Sequence, residues 1–328
     1  MERAYKLYSS LPDLEQCKTW AEIDLDALRR NYRLLRETAT AENPGVRMIA
    51  VVKAEAYGHG APACVEALLS EGCDFFAVSC IDEAVAVRQV CDGAHREADI
   101  LILGYTPPEL ALQLARYEIT QALLSEDYAV RLETNAAAAG VTVRVHVALD
   151  TGMNRIGFPA HSEMEIAATV AAVSRVAGFQ HLSPEGMFTH FARADEAPGG
   201  AGEALTDLQS ARYRSVRTAL ERQGVRIPFH HVCNSAAGVR RAGDRMNGVR
   251  LGILLYGARP SDCIELPLKP VMKLRTVISH LHKLLPGETV SYGGTFSASS
   301  ERLIATMPIG YADGFLRAYS GSFVTVET

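Results

Sequence analysis

The sequence predicts an α/β protein: a (β/α)8 TIM barrel followed by a smaller all-β domain. Three observations favour this fold. Strand-like and helix-like segments alternate eight times, polar residues stand just after the strand ends, and the pattern becomes all-β after Pro260. The predicted domain limits are 1–258 for the barrel and 259–328 for the β-domain. A strand near the N-terminus is compatible with either domain.

Eight segments have the composition of buried strands. Short apolar or β-branched runs between turn signals are typical of a parallel sheet. Before the first run, residues 20–24 alternate like a short strand, and Asp24 can cap a helix over 25–37. An open doubly wound sheet is the alternative, but eight unbroken repeats are long for it. The barrel strand candidates are Met48–Val52, Phe75–Val78, Asp99–Leu103, Ile119–Leu124, Val141–Val147, Gly186–Thr189, Phe229–Val232 and Gly248–Leu251.

The region after Pro260 has short β-branched segments separated by Pro-Gly, Gly-Gly and Ser-Gly turns. A β-domain of about 65 residues has a limited core. The chain also stops directly after a strand-like run, so we expect this domain to be incomplete. The segments are Val271–Ile278, Thr289–Tyr292, Arg302–Ile309 and Ser322–Val326.

The composition is that of an ordinary globular protein with a small-molecule substrate. Of 328 residues, 48% are hydrophobic and 22% are charged, and a net charge of -5 does not favour nucleic acid or an acidic membrane surface as a partner. No apolar run approaches the roughly 18 residues of a membrane span. Residues 1–14 lack the apolar core of a signal peptide. We therefore expect a cytoplasmic protein.

The cysteines support the same expectation. Their odd number and the absence of a Cys-x-x-Cys pair argue against a disulfide framework and against a zinc site, so no metal is expected. Small buried thiols suit a reducing cytoplasm. The seven cysteines are at positions 17, 64, 73, 80, 91, 233 and 263.

A lysine stands at the mouth of the first barrel strand. The apolar run that begins at Met48 ends on Lys53, and a tyrosine, a histidine and two glycines follow before the next helical pattern. Partial burial disfavours the charged ammonium, and the neutral amine is the nucleophile that Schiff-base chemistry needs. The alternative is that Lys53 merely extends to solvent at the strand end.

Further polar residues follow the later strands. Asn234 and Ser235 come after the seventh strand and open a helical stretch, where backbone N–H groups and a hydroxyl can hold a phosphate, although a simple helix cap is the alternative. Gly252 and Ile253 come just after the eighth strand and would add backbone N–H groups. In barrels, phosphate commonly binds at the loops after strands seven and eight.

Arg250 and His190 are polar residues within otherwise apolar strand ends. A buried arginine is costly unless it has a partner, so Arg250 belongs either to a ligand site or to a structural salt bridge. A single histidine on an apolar stretch is usually a satisfied core residue. His190 nevertheless follows the sixth strand, on the face where a barrel builds its active site.

The stretch from Met48 to Gly60 closely resembles the pyridoxal-phosphate lysine signature of alanine racemases, with Glu55 where that family tolerates acidic or amide residues. The resemblance implies that Lys53 carries pyridoxal 5'-phosphate and is one of two catalytic bases. It also places Tyr57 near the cofactor phosphate, together with the segments around Asn234 and Gly252. His190 is implied to pack against the cofactor ring.

Two more blocks support the resemblance. In the family, the arginine at position 250 bonds the pyridine nitrogen of the cofactor. By resemblance, the block from Asp150 to Gly157 implies that Arg155 interacts with the phenolic oxygen of the cofactor and with the substrate carboxylate. Many members have a lysine, often carbamylated, two residues before the aspartate, whereas this chain has Ala148. A chloride or a neighbouring side chain could then position Arg155, or Arg155 is held differently.

The block Pro308–Gly314 resembles the family's second-base motif, which implies that Tyr311 is the other catalytic base. In the family this tyrosine belongs to the partner subunit, so a homodimer is implied. Family members also continue for some tens of residues, with a Cys-Met-Asp block that this chain lacks.

The implied function is racemisation of L-alanine to D-alanine, which supplies D-alanine for peptidoglycan. The alternatives are a serine/alanine racemase, a cofactor-binding but catalytically incomplete fragment, a non-catalytic barrel that carries or buffers the cofactor, and a basic amino-acid decarboxylase. Decarboxylases of this fold pair an acidic residue with the pyridine nitrogen, where this chain has Arg250.

Overall fold

The computed structural model describes residues 18–319, 321–322 and 324–326, so Cys17 and the stretch 1–14 lie outside the described residues. The chain forms two compact units. The larger runs from Asp24 to Val271, and the smaller combines the residues up to Ile23 with those from Met272. The domain limits 1–258 and 259–328 remain a prediction.

The strands of the described chain are numbered in sequence order. They are β1 (Thr19–Ile23), β2 (Arg47–Val51), β3 (Phe75–Val78), β4 (Asp99–Ile102), β5 (Ile119–Leu123), β6 (Val143–Asp150), β7 (Phe158–Pro159), β8 (Leu182–Phe188), β9 (Phe229–His231), β10 (Gly248–Leu251), β11 (Met272–Thr276), β12 (His280–Leu284), β13 (Thr289–Val290), β14 (Phe296–Ser297) and β15 (Arg302–Thr306).

Eight parallel strands of the larger unit form one sheet in the order β10–β2–β3–β4–β5–β6–β8–β9. A parallel bridge between Cys233 and Val249 joins the end of β9 to β10 and brings the sheet round to a barrel. The short β7 pairs only with the end of β6. The predicted (β/α)8 barrel is confirmed, and all eight strand candidates overlap a strand of this sheet.

Helices follow most of the barrel strands, as predicted. Asp24 caps the helix that precedes the first barrel strand by accepting a hydrogen bond from the backbone N–H of Ala27 at 2.8 Å, as the sequence indicated. Among the described residues, no helix has both the length and the apolar character needed to cross a membrane. The helices are α1 (Leu25–Thr40), α2 (Ala61–Ser70), α3 (Ile81–Gly93), α4 (Ala111–Arg116), α5 (Glu126–Ala139), α6 (Glu163–Ala177), α7 (Ala201–Arg222) and α8 (Ser235–Arg240).

The core lies inside the barrel and between the barrel and its helices. Ile49, Ala77 and Leu101 from neighbouring strands pack together and are inaccessible to solvent. Such burial on both faces explains why these strands are continuous apolar runs. The barrel interior also holds three buried charged or titratable side chains, His146, His231 and Arg250.

The smaller unit is all-β, as predicted. β1 pairs antiparallel with β11, β12 with β15, and β13 with β14. Two of these strands, β12 and β14, lie outside the predicted segments. The segment Ser322–Val326 was predicted as a strand, but its described residues, 322 and 324–326, are not in a strand. β-branched residues favour an extended backbone, yet a strand also needs a partner, and no described segment pairs with this one.

Candidate active site

Lys53 follows β2 directly and begins an unusual turn. The next four residues, Ala54 to Tyr57, all have a left-handed backbone, with φ between 49° and 57°. Residues with a Cβ avoid this region, at a cost of about 1–2 kcal/mol each. The turn is held by Glu83, whose Oε1 accepts from the N–H of Ala54 at 2.7 Å, and by the side chain of Glu55, which accepts from the N–H of Ala61 at 3.1 Å. Lys53 is therefore presented by a strained and firmly held segment.

Tyr57 lies at the end of this turn, against the segment after β10. A Cβ built on Gly252 would lie 2.7 Å from the Tyr57 hydroxyl, so a larger residue here would have to displace the end of the Tyr57 side chain. The ring of Tyr57 packs against Tyr256 with centroids 5.1 Å apart, and Tyr256 donates to the carbonyl of Val51 at 3.0 Å. Burial raises the pKa of the Tyr57 hydroxyl, so it acts as a hydrogen-bond donor at neutral pH.

Asn234 and Ser235 lie at the start of α8, beside Gly252. The side chain of Asn234 caps the helix by accepting from the N–H of Ala237 at 3.1 Å. Ser235 Oγ accepts from the N–H of Gly252 at 2.8 Å, which joins the loops after β9 and β10. Backbone N–H groups, a serine hydroxyl and the Tyr57 hydroxyl therefore converge at one edge of the barrel. This donor set suits a phosphate group.

Arg250 is buried at the end of β10, with 2% of its surface exposed. Its two Nη atoms donate to backbone carbonyls, among them those of His231 at 2.5 Å and Thr189 at 2.7 Å. The predicted alternative of a structural salt bridge is not found, because no carboxylate of the described residues pairs with Arg250. Burial lowers the pKa of the guanidinium to about 10, so it stays charged at neutral pH. Nε is the guanidinium nitrogen that has no acceptor within the described chain.

His190 lies at the end of β8, with Nδ1 at 3.4 Å from Nη2 of Arg250. Burial, together with the positive charges of Arg250, Arg155 and Lys53, lowers its pKa to about 3. The ring is therefore neutral at neutral pH. It lines the cavity and presents a flat, uncharged side chain there.

The loop from 151 to 157 carries Arg155 and is organised by Asp150, the last residue of β6. Oδ1 of Asp150 accepts from three consecutive backbone N–H groups, those of Gly152, Met153 and Asn154, at 3.1, 3.1 and 3.0 Å. The Arg155 guanidinium itself makes no hydrogen bond or ion pair with the described residues. In the sequence, Asp150 is recognisable only as part of a motif, and its role in shaping the loop becomes visible only in the structure.

These residues surround one cavity of about 570 Å³ on the carboxyl-terminal face of the barrel. Among the residues that line it, Asp195 is the one carboxylate, against Lys53, Arg155 and Arg250. The cavity is thus net positive and suits a ligand with anionic groups. Nine predicted site residues line it: Lys53, Tyr57, Arg155, His190, Asn234, Ser235, Arg250, Gly252 and Ile253.

Tyr311, the tenth predicted site residue, lies in the smaller unit. It begins a short turn, Tyr311–Asp313, in which Asp313 accepts from the N–H of Gly310 at 3.0 Å. The side chain is 75% exposed.

Comparisons with known proteins identify the family. The family models described as alanine racemase, N-terminal domain, and alanine racemase, C-terminal domain, match residues 23–260 and 271–328. The chain belongs to the alanine racemase family. An alanine racemase of Desulfovibrio desulfuricans is 40% identical over 303 residues, which cover 92% of this chain and 77% of that protein.

Solved alanine racemases have the same fold. The alanine racemase of Clostridium difficile 630 superposes with a TM-score of 0.82 at 37% identity, over 93% of this chain and 76% of that one. The enzyme from Bacillus anthracis, solved with bound L-Ala-P, gives a TM-score of 0.78 at 33% identity, over 93% and 76% of the two chains.

Alanine racemases depend on pyridoxal phosphate, and the observed donor set fits this group. Nε of Arg250 can only donate, so it requires an acceptor with a free lone pair, such as a pyridine nitrogen. The glycine at 252 leaves the space that a phosphate needs beside the Tyr57 hydroxyl. A lysine amine lies on the same cavity wall.

Proposed function

We propose that this racemase interconverts L-alanine and D-alanine, with Lys53 and Tyr311 as its two bases, and so supplies D-alanine for peptidoglycan. The observation that carries the proposal is the convergence of nine predicted residues on one positively charged cavity at the carboxyl ends of the barrel strands. The family and its dependence on pyridoxal phosphate are established by the comparisons above. The roles of individual residues are our proposals.

The cofactor would be held at both of its ends. Lys53 would attach it covalently, and Arg250 would donate from Nε to the ring nitrogen. The face of the neutral His190 ring would support the cofactor ring. Tyr57, Ser235 and the backbone N–H groups at 235 and 253 would hold the phosphate, with Asn234 fixing the start of α8 and the N–H of Gly252 donating to Ser235 Oγ. When bound, the cofactor makes the Cα proton of the substrate acidic.

Arg250 would favour the return of a proton to Cα over transamination. An arginine is a permanent donor, so the ring nitrogen facing it must accept and stays unprotonated. An unprotonated ring withdraws electrons less strongly, which favours returning a proton to Cα over transamination. A decarboxylase of this fold would place a carboxylate at this position, and the contacts of Arg250 therefore favour a racemase.

Racemisation requires proton exchange on both faces of Cα. We assign one face to Nζ of Lys53 and the other to the hydroxyl of Tyr311 from a partner subunit. The high exposure of Tyr311 supports this assignment, because it leaves the hydroxyl free to enter another chain's cavity. A tyrosine is normally protonated at neutral pH, so it serves first as a proton donor and needs nearby cations to act as a base.

Arg155 would bind the substrate carboxylate. Its guanidinium has no protein partner in the described chain, which leaves its donors free for a bidentate contact. The residue at 148 is a buried alanine, so no lysine positions Arg155 from that strand. Its direction is set instead by the loop that Asp150 organises.

We also propose a cytoplasmic location, which the cysteines support. All six cysteines of the described chain are free thiols, as expected in a reducing compartment.

The first test is racemase activity on L-alanine with added pyridoxal phosphate, measured together with the absorbance spectrum of the protein-bound cofactor. Lys53→Ala should abolish both the activity and the absorbance band of the lysine-bound cofactor. Lys283→Ala, at an exposed lysine of β12, is the matched control and should change neither. A Lys53→Ala protein that retains the band would contradict the assignment. Comparable kcat/KM for L-serine and L-alanine would favour the serine/alanine alternative.

The shared site has its own test. Lys53→Ala and Tyr311→Phe are each expected to be inactive alone. Mixed dimers of the two would contain one complete site, made from Lys53 of one chain and Tyr311 of the other. Recovery of activity on mixing after dissociation supports the homodimer, whereas no recovery would mean that both bases come from one chain.

A further inference from the structure

A chain of buried polar side chains runs from Arg250 into the interior of the barrel. Nη1 of Arg250 lies 2.8 Å from Nδ1 of His231, and Nε2 of His231 lies 2.9 Å from Nδ1 of His146. All three side chains have less than 5% of their surface exposed. No carboxylate of the described residues bonds to any of them, so the two rings stand where a counter-ion would be expected.

The donors and acceptors along this chain are fixed by chemistry. Arginine can only donate, so Nδ1 of His231 must accept and carry no hydrogen. The His231 ring is therefore neutral with its hydrogen on Nε2, which donates to Nδ1 of His146. His146 must then also be neutral, with its own hydrogen on Nε2.

The charges around the rings agree with these neutral forms. Burial lowers the pKa of His146 to about 3. Asp99 acts in the opposite direction, whereas the positive charges of Arg144, Arg250 and Arg47 act with burial. Burial and the Arg250 charge likewise hold the pKa of His231 well below its usual value.

The neighbouring strand leaves space for the His146 ring. A Cβ built on Gly186, on the neighbouring strand β8, would lie 2.5 Å from three atoms of this ring. The β6–β8 ladder shifts its register between Val145 and His146, which brings Gly186 opposite the histidine. The rings of Phe75 and Phe229 enclose it, with centroids at 6.2 and 6.0 Å. The imidazole is therefore closely packed on these sides.

We propose that His146 is a positioning residue for the racemase reaction: through His231, it holds the Arg250 guanidinium so that both Nη atoms face protein acceptors and Nε faces the cavity. Loss of the His146 acceptor would let His231 rotate or change tautomer. Arg250 would then lose a side-chain acceptor and its fixed plane. This inference rests on the role proposed above for Arg250.

The test compares His146→Leu, which removes the acceptor, with His146→Asn, whose Oδ1 can accept near the place of Nδ1. His95→Asn is the control, because His95 is exposed and its positive φ of 52° suits asparagine. The first readout is the long-range ¹H–¹⁵N spectrum of the imidazoles in the cofactor-free protein, which reports each tautomer. The second is kcat/KM for L-alanine. The third is the side reaction in which L-alanine and pyridoxal phosphate become pyruvate and pyridoxamine phosphate.

In the wild type, the spectrum should place the His231 hydrogen on Nε2. His146→Leu should shift the His231 signals, lower kcat/KM about tenfold and raise the share of the side reaction, while His146→Asn should recover most of the activity. The proposal is overturned if His231 carries its hydrogen on Nδ1, if His146→Leu behaves like wild type, or if the folded Leu and Asn variants are equally impaired. A wild type without racemase activity would refute the proposed function alone, since the spectrum of the cofactor-free protein still decides the tautomers.

Discussion

Replacing Asp150 tests how the loop that carries Arg155 is held. One carboxylate oxygen accepts from three consecutive backbone N–H groups at 3.0–3.1 Å, and the loop bends round this point. Asp150→Ala removes the acceptor, whereas Asp150→Asn keeps an acceptor oxygen and removes only the charge. Asp92→Asn is the matched control, because the side chain of Asp92 is exposed and makes no hydrogen bond or ion pair with the described residues.

The expected magnitude follows from the number of donors and their surroundings. A hydrogen bond to a charged group contributes about 1.5–3 kcal/mol to stability. The three bonds share one oxygen, and 12% of the side chain is exposed, so they are weaker than three independent bonds. We expect the free energy of unfolding to fall by about 3 kcal/mol in Asp150→Ala and by about half of that in Asp150→Asn.

Comparing the pH dependence of stability in the wild type and in Asp150→Asn isolates the contribution of the Asp150 charge. Burial alone would raise the pKa of Asp150, but the N–H groups of Asn154 and Gly152, together with His161, hold it below its usual range. A depressed folded-state pKa stabilises the protein above the unfolded value, about 3.9, and this contribution is lost as the pH falls through the folded pKa. The wild type should therefore lose its advantage over Asp150→Asn below about pH 4 and keep it from about pH 5 to 7.

Urea unfolding of the cofactor-free protein measures these differences, and KM for L-alanine measures the effect on Arg155. We expect Asp150→Ala to raise KM, because the guanidinium that binds the substrate carboxylate is no longer directed by the loop. The role of the three N–H groups would be refuted if Asp150→Ala were as stable as Asp92→Asn. It would also be refuted if the stability difference between the wild type and Asp150→Asn stayed constant down to about pH 3.5.

Three further predictions concern the larger unit. Gly157→Ala should lower the free energy of unfolding by more than about 3 kcal/mol, because the new Cβ would lie within 3 Å of the β6 backbone at a φ of 120°. Gly140→Ala, at an open site with a φ of 66°, should lower it by about 1 kcal/mol. Thermal unfolding of the two variants measures the difference. Asn31→Leu should cost about 3 kcal/mol in urea, because its buried amide bonds three backbone groups of the segment after β10, and a loss below about 1 kcal/mol would contradict this. Tyr57→Phe should weaken pyridoxal phosphate binding about tenfold in a titration, while Tyr105→Phe, at a half-exposed site, should leave it unchanged.

Much of this site could be predicted because a parallel barrel gathers the carboxyl ends of its strands on one face. Lys53, His190 and Arg250 are far apart in sequence, yet each follows or ends a predicted strand, so locating the strands also located the site. Apolar runs gave those strands correctly. The smaller unit was less predictable, since short polar strands such as β12 differ little from loops until their partner is known.

The local conformations within the site could not be predicted from sequence. The segment after Lys53 contains two alanines and a glutamate, which favour a right-handed helix, yet Ala54–Tyr57 is left-handed. Contacts from distant residues override this preference, in particular the bond from Glu83, 29 positions away. The pairing of His146 with His231 spans 85 positions and has no local signal either.

Each cationic side chain at the cavity is thus directed by a residue that does not itself line the cavity. Glu83 holds the turn that presents Lys53, Asp150 shapes the loop that presents Arg155, and the two interior histidines orient the arginine of β10. The left-handed turn costs about 4–8 kcal/mol over its four residues, so it persists only because such contacts offset it. Substitutions at these supporting positions should therefore misdirect a functional group without removing it. A variant with such a substitution would keep the motifs that identify the family and would still have lower activity.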